Sequence, residues 1–478
     1  MTAVDEHTPT AADRELVDIA NYVCDYRIDD ARAMASAYRC LIDTLAGAFD
    51  AVHHPACSKL LGPIVPGATM ADGVRVPGTS YELDPASATF NIGCLIRWHD
   101  LNDTFTGAAA SHPSDNLAGI LAVADYLGRR QPAVKLNMKD VLQSLIKAYE
   151  IQGLIGMTNK CFGNAGVLDH VQLTKVATTA VVTRMLGGNH DAVLNAVSNA
   201  WLEPVLRLYR HAPGAGTRKG WAAADASAQA VRLAFMAVKG EMGYPMALSV
   251  KKRGFYDAFQ NGEPFSLQRP YGSYVVQNTM LKLVPSAMYG QSAAECAFRV
   301  HALIRDRLDQ IAQVQLFTHG ALLHIMDKTG PLHNAADRDH CVQYIVAISL
   351  LFGRLLISDF EDDFAADPCI DALRDKIILT EDPRFTEGFF DPKRRSSATG
   401  LEVRFRDGST TARIDVEYPS GHPSRRDESA TLFKQKFTSA VERFFPAAQA
   451  GKIISMCADQ ARLEATSVDA FMQAFVVR

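Results

Sequence analysis

The chain has no closely spaced cysteines. Nine occur in 478 residues, and the nearest two, Cys24 and Cys40, are too far apart for a CxxC pair, a zinc knuckle or the clustered thiolates of an iron–sulfur site. An odd count without spacing reads as free thiols in a reducing compartment, mostly small buried apolar groups. Long apolar runs are missing too. Stretches such as residues 346–353 are far too short to cross a bilayer. The first residues, MTAVDEHTPTAADREL, are acidic and polar, with neither the apolar segment of a signal peptide nor the Arg-rich character of a transit peptide. A soluble intracellular, cytoplasmic protein is expected. A net charge of −4 gives no global reason to expect nucleic acid or an anionic membrane as partner. No GxxxxGK(S/T) loop and no GxSxG elbow occurs. What remains is ordinary globular composition, 48% hydrophobic and 21% charged, at a length that suggests two or three domains.

Helical spacing dominates residues 16–49, 117–127, 141–149, 170–186, 192–202 and 221–242. Ser114 or Asp115 is expected to cap one helix and Asp140 another. Residues 62–81 read as loop or short extended structure. Composition shifts after about Gly262. Residues 311–326 contain a β-like alternation, and 339–356 return to helix. Residues 401–418, LEVRFRDGSTTARIDVEY, alternate on both sides of Asp407-Gly408 and read as a hairpin. The last fifty or so residues are helical again. The expectation is a mostly α protein: a large helical domain over residues 1–272, a smaller α+β unit over 273–425, and C-terminal helices over 426–478 that pack on the first domain.

The chemistry concentrates in residues 98–116, WHDLNDTFTGAAASHPSDN, which hold three acids, two threonines and two histidines between apolar segments. Asp100 and Asp103 share a face if the segment is helical. Thr104 adds a hydroxyl, and His112 precedes Pro113, which biases it toward a loop before the next helix. A carboxylate, a hydroxyl and an imidazole beside a helix N-terminus suit proton transfer on a carboxylic acid. Spacing alone leaves capping and loop hydrogen bonding open as the alternative. Residues 207–221 interleave Arg207, Arg210, His211, Arg218 and Lys219 with three glycines, which suits carboxylates or a solvated basic loop. Lys282, in MLKLVPS, either meets an anion or packs its stem with its head in water. His170 opens an apolar helix, where structural histidines are common. His99, His112, His170 and His211 lack local metal-ligand spacing, so no metal is expected.

The segments DLNDT, SHPSDNLAGILAVADYL, YRHAPGAGTRKGWAA, GEMGYP, QRPYGSYV, DKTGPLHNAADRDHCVQYIVAI and YPSGH resemble the MmgE/PrpD family, from about Asp43 to near the C-terminus. GTRKGWAA, RPYGSYV and ADRDHC are similar to its dehydratase branch rather than to its decarboxylases. The resemblance implies a homodimer, a helical domain with an α+β lid, and a cofactor-independent elimination of water from a 2-alkylcitrate, with a methyl or longer chain, to a 2-alkyl-cis-aconitate. That agrees with the missing cluster-type cysteines. It implies Asp100, Thr104, His112, His170 and Lys282 as catalytic positions. Arg210, His211, Arg218 and Lys219 would bind substrate carboxylates, with Tyr344 and His422 on the lid side.

The departures from that pattern are as useful as the matches. Phe105 replaces a tryptophan, Ala110 falls where a second one stands, and Ala109 replaces an acid. Tyr289 stands where a histidine is expected, and Tyr149 replaces another before Glu150. Phe105, Ala109, Ala110 and Tyr289 are therefore expected to shape a widened chain pocket, against the alternative that neighbours refill the space. Decarboxylation of a cis-aconitate-type acid and an impaired tricarboxylate-binding homologue are the alternative functions, the latter motivated by Tyr289.

Overall fold

The computed structural model describes residues 11–131, 133–163, 166–210, 216–391 and 393–477. The helical spacing of residues 16–49 resolves into two helices, Arg14–Asp25 and Ala31–Val52. They are separated where Asp30 caps the second by accepting from the N–H groups of Arg32 and Ala33 at 2.8 and 3.3 Å. Neither Ser114 nor Asp115 caps an α-helix. Pro113–Asn116 forms a 3-10 turn first, because proline is favoured at a first helical position, and the α-helix is Leu117–Arg130. Asp140 is not a cap either. Asn137 accepts from the Asp140 N–H at 3.2 Å, and the Asp140 carboxylate accepts from the Asn137 N–H at 2.9 Å, a reciprocal box that starts Met138–Thr158.

The helix Val171–Met185 is buried on nearly every side and stands at the centre of the helical body. The alanine-rich helix Ala222–Ala237 packs against it and against Pro85–Arg97. A Cβ at Gly93 would sit 2.7 Å from the Ala224 Cα, so the close approach of these two helices requires glycine. This crossing fixes the end of Pro85–Arg97, from which the polar segment 98–116 emerges.

The apolar core falls into two main clusters. One cluster runs from Leu16 to Leu281 and resumes at Phe433 in the C-terminal helices, where Phe49 packs against Phe444, Phe445 and Phe475. Each such side chain contributes about 1.5–3 kcal/mol by leaving water. A second cluster runs from Val284 to Val416. Its sheet comprises β3 (Ile311–Thr318), β4 (Ile377–Glu381), β5 (Thr399–Phe405) and β6 (Ile414–Val416), in the order β4-β3-β5-β6. The remaining strands, β1 (Val74–Arg75) and β2 (Glu82–Leu83), form a separate two-residue ladder in the first half. The alternation read over residues 311–326 holds only as far as Thr318, and the rest is the helix Gly320–Met326. The hairpin pairs Leu401 with Ile414 and Thr399 with Val416, with Gly408 at φ 84° in the turn. Helix dominates overall, in keeping with the mostly α expectation. No helix among the described residues is long and apolar enough to cross a membrane.

Candidate active site

The polar segment is a loop, not a helix. Asp100 follows the helix Pro85–Arg97 with φ 50°, a left-handed conformation that aspartate adopts more readily than most residues. This kink turns Asp100 and Asp103 to different surroundings rather than to one face. Asp103 faces the interior. Its carboxylate accepts from the Ser114 N–H and hydroxyl at 3.1 and 2.6 Å and from the Tyr149 hydroxyl at 2.5 Å. Tyr149 thus ties the loop to the helix Met138–Thr158. Thr104 is held by paired backbone bonds to Met280, 2.8 Å each way.

Asp100 faces a cavity of about 790 Å³, where it forms the hub of a charge cluster. Arg97 donates to Oδ1. Lys282 Nζ donates to the same oxygen at 2.8 Å and to the Asp100 carbonyl at 2.6 Å, and Lys219 Nζ lies 3.2 Å from Oδ2. Burial opposes ionisation of Asp100, but Arg97, Lys282 and Lys219 together hold its carboxyl well below the usual range. Lys282 is fully buried. Burial lowers its pKa despite Asp100, and Arg97 adds to that effect. It is placed by Gly421, whose carbonyl accepts from the Leu281 N–H at 3.0 Å. A Cβ at Gly421 would collide with the Leu281 carbonyl, so only glycine fits.

Two imidazoles stand beside this hub. His112 Nδ1 lies 2.6 Å from the Asp103 carbonyl and 3.2 Å from the Thr104 hydroxyl. A carbonyl only accepts, so Nδ1 carries the proton and Nε2, 3.9 Å from Asp100 Oδ1, presents a lone pair. His170 packs edge-on against His112, 5.2 Å between ring centres, with Nδ1 3.3 Å from Asp169 Oδ1. Burial, followed by nearby cations, keeps His112 neutral. Burial does the same for His170 even though Asp169 opposes it. His170 Nε2 is buried without a partner among the described residues, whereas 12% of the His112 side chain remains accessible.

Several cavity residues escaped the sequence reading. Arg97 lines it, as does the loop of residues 327–340, including Asp327, Lys328 and His340. In the sequence that loop is the motif DKTGPLHNAADRDHC, whose density of charge is the signal of a place in the site. Lys219 Nζ bridges Asp339 Oδ2 at 2.8 Å and His340 Nδ1 at 3.1 Å as well as Asp100. Asp100, Asp339 and His340 could offer three ligand atoms to a metal ion, but the Lys219 ammonium already bonds to all three. Among the described residues the lining carries six lysines and arginines against three aspartates, a surplus that suits a polycarboxylate.

Of the expected site residues, Asp100, Thr104, His112, His170 and Lys282 all line this cavity, with Arg210, Lys219, Ala110 and Tyr289. Burial pushes the Tyr289 phenol up to about 12. Others do not line it. Arg218 stacks over Trp221 and pairs with Asp225. Tyr344 is in the second core, its hydroxyl donating to the Asp359 carbonyl at 2.5 Å. Phe105 packs edge-on against Tyr274, and Ala109 lies against the backbone of Gly163, so the volume expected there is filled. His422 belongs to an adjoining cavity. Arg210 lines the main cavity but is committed to Asp169 through Nε at 2.5 Å. His211 lies outside the described residues.

Residues 17–268 match the MmgE/PrpD N-terminal domain, and residues 284–460 match the MmgE/PrpD C-terminal domain. The chain belongs to the MmgE/PrpD family. Within it, the chain is 50% identical to the 2-methylcitrate dehydratase of Salmonella typhimurium over 97% of its own length and 98% of that protein. It is 50% identical to the 2-methylcitrate dehydratase of Cupriavidus necator, over 98% and 99% of the two chains. The mitochondrial 2-methylcitrate dehydratase of Yarrowia lipolytica is 44% identical, over 93% of this chain and 86% of that one. Both MmgE/PrpD domains contribute to the cavity, Asp100 and His112 from the first and Tyr289 and His340 from the second.

Proposed function

We propose that the chain removes water from 2-methylcitrate to give 2-methyl-cis-aconitate. The carrying observation is the Asp100 hub, whose lysines stand beside two neutral imidazoles in a cavity with surplus positive charge. The substrate carboxylates bind to the cations of this lining. His112 takes the C–H proton next to a carboxylate through Nε2, the more accessible of the two imidazoles. Negative charge then developing on that carboxylate is stabilised by the fixed cations, with no reorganisation at the moment of reaction. The carbon–oxygen bond breaks as Lys282, an ammonium whose burial makes it more acidic, gives its proton to the departing hydroxyl. Asp100 stabilises the imidazolium formed on His112 and lies between the two groups that must exchange a proton to reset the site. His170, oriented by Asp169, fixes the plane of the His112 ring from behind.

The test is ultraviolet absorbance from the new conjugated alkene when purified protein meets 2-methylcitrate. No absorbance while tricarboxylates still bind would favour the binder, and evolved carbon dioxide would favour the decarboxylase. A longer 2-alkyl chain is a second reading, now resting on Ala110 alone among the small positions, since it lines the cavity. A panel of 2-alkylcitrates decides it, and a preference for methyl over hexyl in kcat/KM sinks it. In the same proposal residues 273–425 act as a lid over a helical domain of residues 1–272, with residues 426–478 packing back on that domain. The protein works as a homodimer, which sedimentation velocity tests.

A further inference from the structure

A second cavity of about 490 Å³ adjoins the first, and Thr104 and Met288 line both. Lys393, Arg394 and Arg395 line it, and no carboxylate does among the described residues. Arg394 is engaged by Glu417 at 3.0 Å. Arg395 is not paired with any acid among the described residues. Its guanidinium lies 5.3 Å from the Phe105 ring centre and 5.9 Å from that of Tyr274, and among the described residues it donates only to the Thr106 carbonyl at 3.5 Å. Its backbone sits at φ 47°, a conformation that side chains other than glycine seldom adopt and that persists only where the surroundings enforce it. The Arg395 N–H donates to the Asp391 carbonyl at 2.9 Å. Ser397 supplies an independent sign. Its residue is only 3% exposed, its Oγ has no hydrogen-bond partner among the described residues, and it lines the same cavity. A buried hydroxyl left unsatisfied beside unpaired cations calls for an acceptor that brings negative charge.

We propose that this second cavity is a separate carboxylate-binding site, which takes a polycarboxylate of the substrate's class next to the reaction chamber. Arg395 provides the fork, Lys393 adds charge at the rim, and Ser397 donates from the floor. Phe105, which sequence reading assigned to a chain pocket, instead supports the Arg395 guanidinium from below. The identity of the occupant rests on the proposed function. The existence of the site does not.

Calorimetric titration of the full-length protein with propane-1,2,3-tricarboxylate tests it, since this acid has no hydroxyl to lose. Two classes of site per chain are expected, and Arg395→Gln should weaken one class at least tenfold while the other persists. A single class in the wild-type protein, or two undiminished classes in Arg395→Gln, overturns the proposal. Should Arg395→Gln fail to fold by circular dichroism, Lys393→Gln and Ser397→Ala carry the same test at the rim and floor. Inorganic phosphate binding the second class more tightly than the tricarboxylate would reassign the occupant and overturn the carboxylate. Absent dehydration of 2-methylcitrate with a two-class isotherm would strike the proposed function alone. A one-class isotherm in an active enzyme would strike this site alone.

Discussion

Replacing Asp100 by asparagine probes the centre of the proposed mechanism with the least steric disturbance. The side chains are nearly the same size, and asparagine tolerates the φ of 50° found there. What disappears is the charge that Arg97, Lys282 and Lys219 share, in a residue only 3% exposed. Breaking one side of a buried ion cluster typically costs about 3–5 kcal/mol, because the partners stay buried without compensation. The carboxyl is held below its unfolded value, so this stability is present in the wild-type protein above roughly pH 4 and is lost as the pH falls through the folded value. Urea denaturation at pH 7 should therefore show Asp100→Asn destabilised by about that amount, with the gap closing in strong acid. The uncompensated lysines should then hold an added tricarboxylate more tightly. A gain of about tenfold, or roughly 1.4 kcal/mol, is expected for propane-1,2,3-tricarboxylate. Turnover should move the other way, since the imidazolium on His112 loses its counter-charge, with kcat falling about 10²–10⁴-fold. The combination is the test. A variant with kcat within threefold of wild type, or with weaker tricarboxylate binding, would refute the hub.

Three further outcomes follow from the same geometry. Lys282→Met keeps the packed stem and removes the proton donor, so kcat for 2-methylcitrate dehydration should fall about 10²–10⁴-fold, and a near-normal rate rejects its role as acid. Burial pushes the Asp115 carboxyl up to about 7, and its Oδ2 has no partner among the described residues. The folded state therefore binds more protons than the unfolded state between roughly pH 4 and 7, and its stability falls as pH rises through that window, by on the order of 4 kcal/mol in full. Asp115→Asn should lose this slope and exceed wild-type stability at pH 8 in urea denaturation, and equal slopes in both proteins would contradict it. His112 and His170 act in the opposite direction: held neutral when folded, they withdraw stability as pH falls below roughly 6.5, and the variant leaves that loss visible. Tyr344→Phe removes one buried hydrogen bond to the Asp359 carbonyl, so it should lose about 1 kcal/mol of stability. Its kcat/KM should stay within twofold of wild type, and a larger kinetic loss would return Tyr344 to the site.

The division of labour within residues 98–116 shows what a sequence pattern carries. Residue types announced titratable chemistry there, and the cavity does gather Asp100, Thr104 and His112. Helical periodicity, which located most of the body, had no purchase on this loop, because one left-handed residue at Asp100 resets the direction of everything after it. For that reason Asp103 was indistinguishable from Asp100 by composition, yet one carboxylate organises the loop through Ser114 and Tyr149 while the other faces the cavity. The same limit misplaced Phe105 and Ala109: a bulky position and a small one were read as pocket wall, and both are packed against the protein's own chain. Lys282 is the converse case. Its apolar neighbours suggested a stem in the core with a head in water, and full burial is possible only because Asp100, 182 positions away in the chain, supplies the counter-charge. A charge in an apolar run is therefore a statement about a partner elsewhere. Here the partner is the one carboxylate that the backbone kink turns toward it.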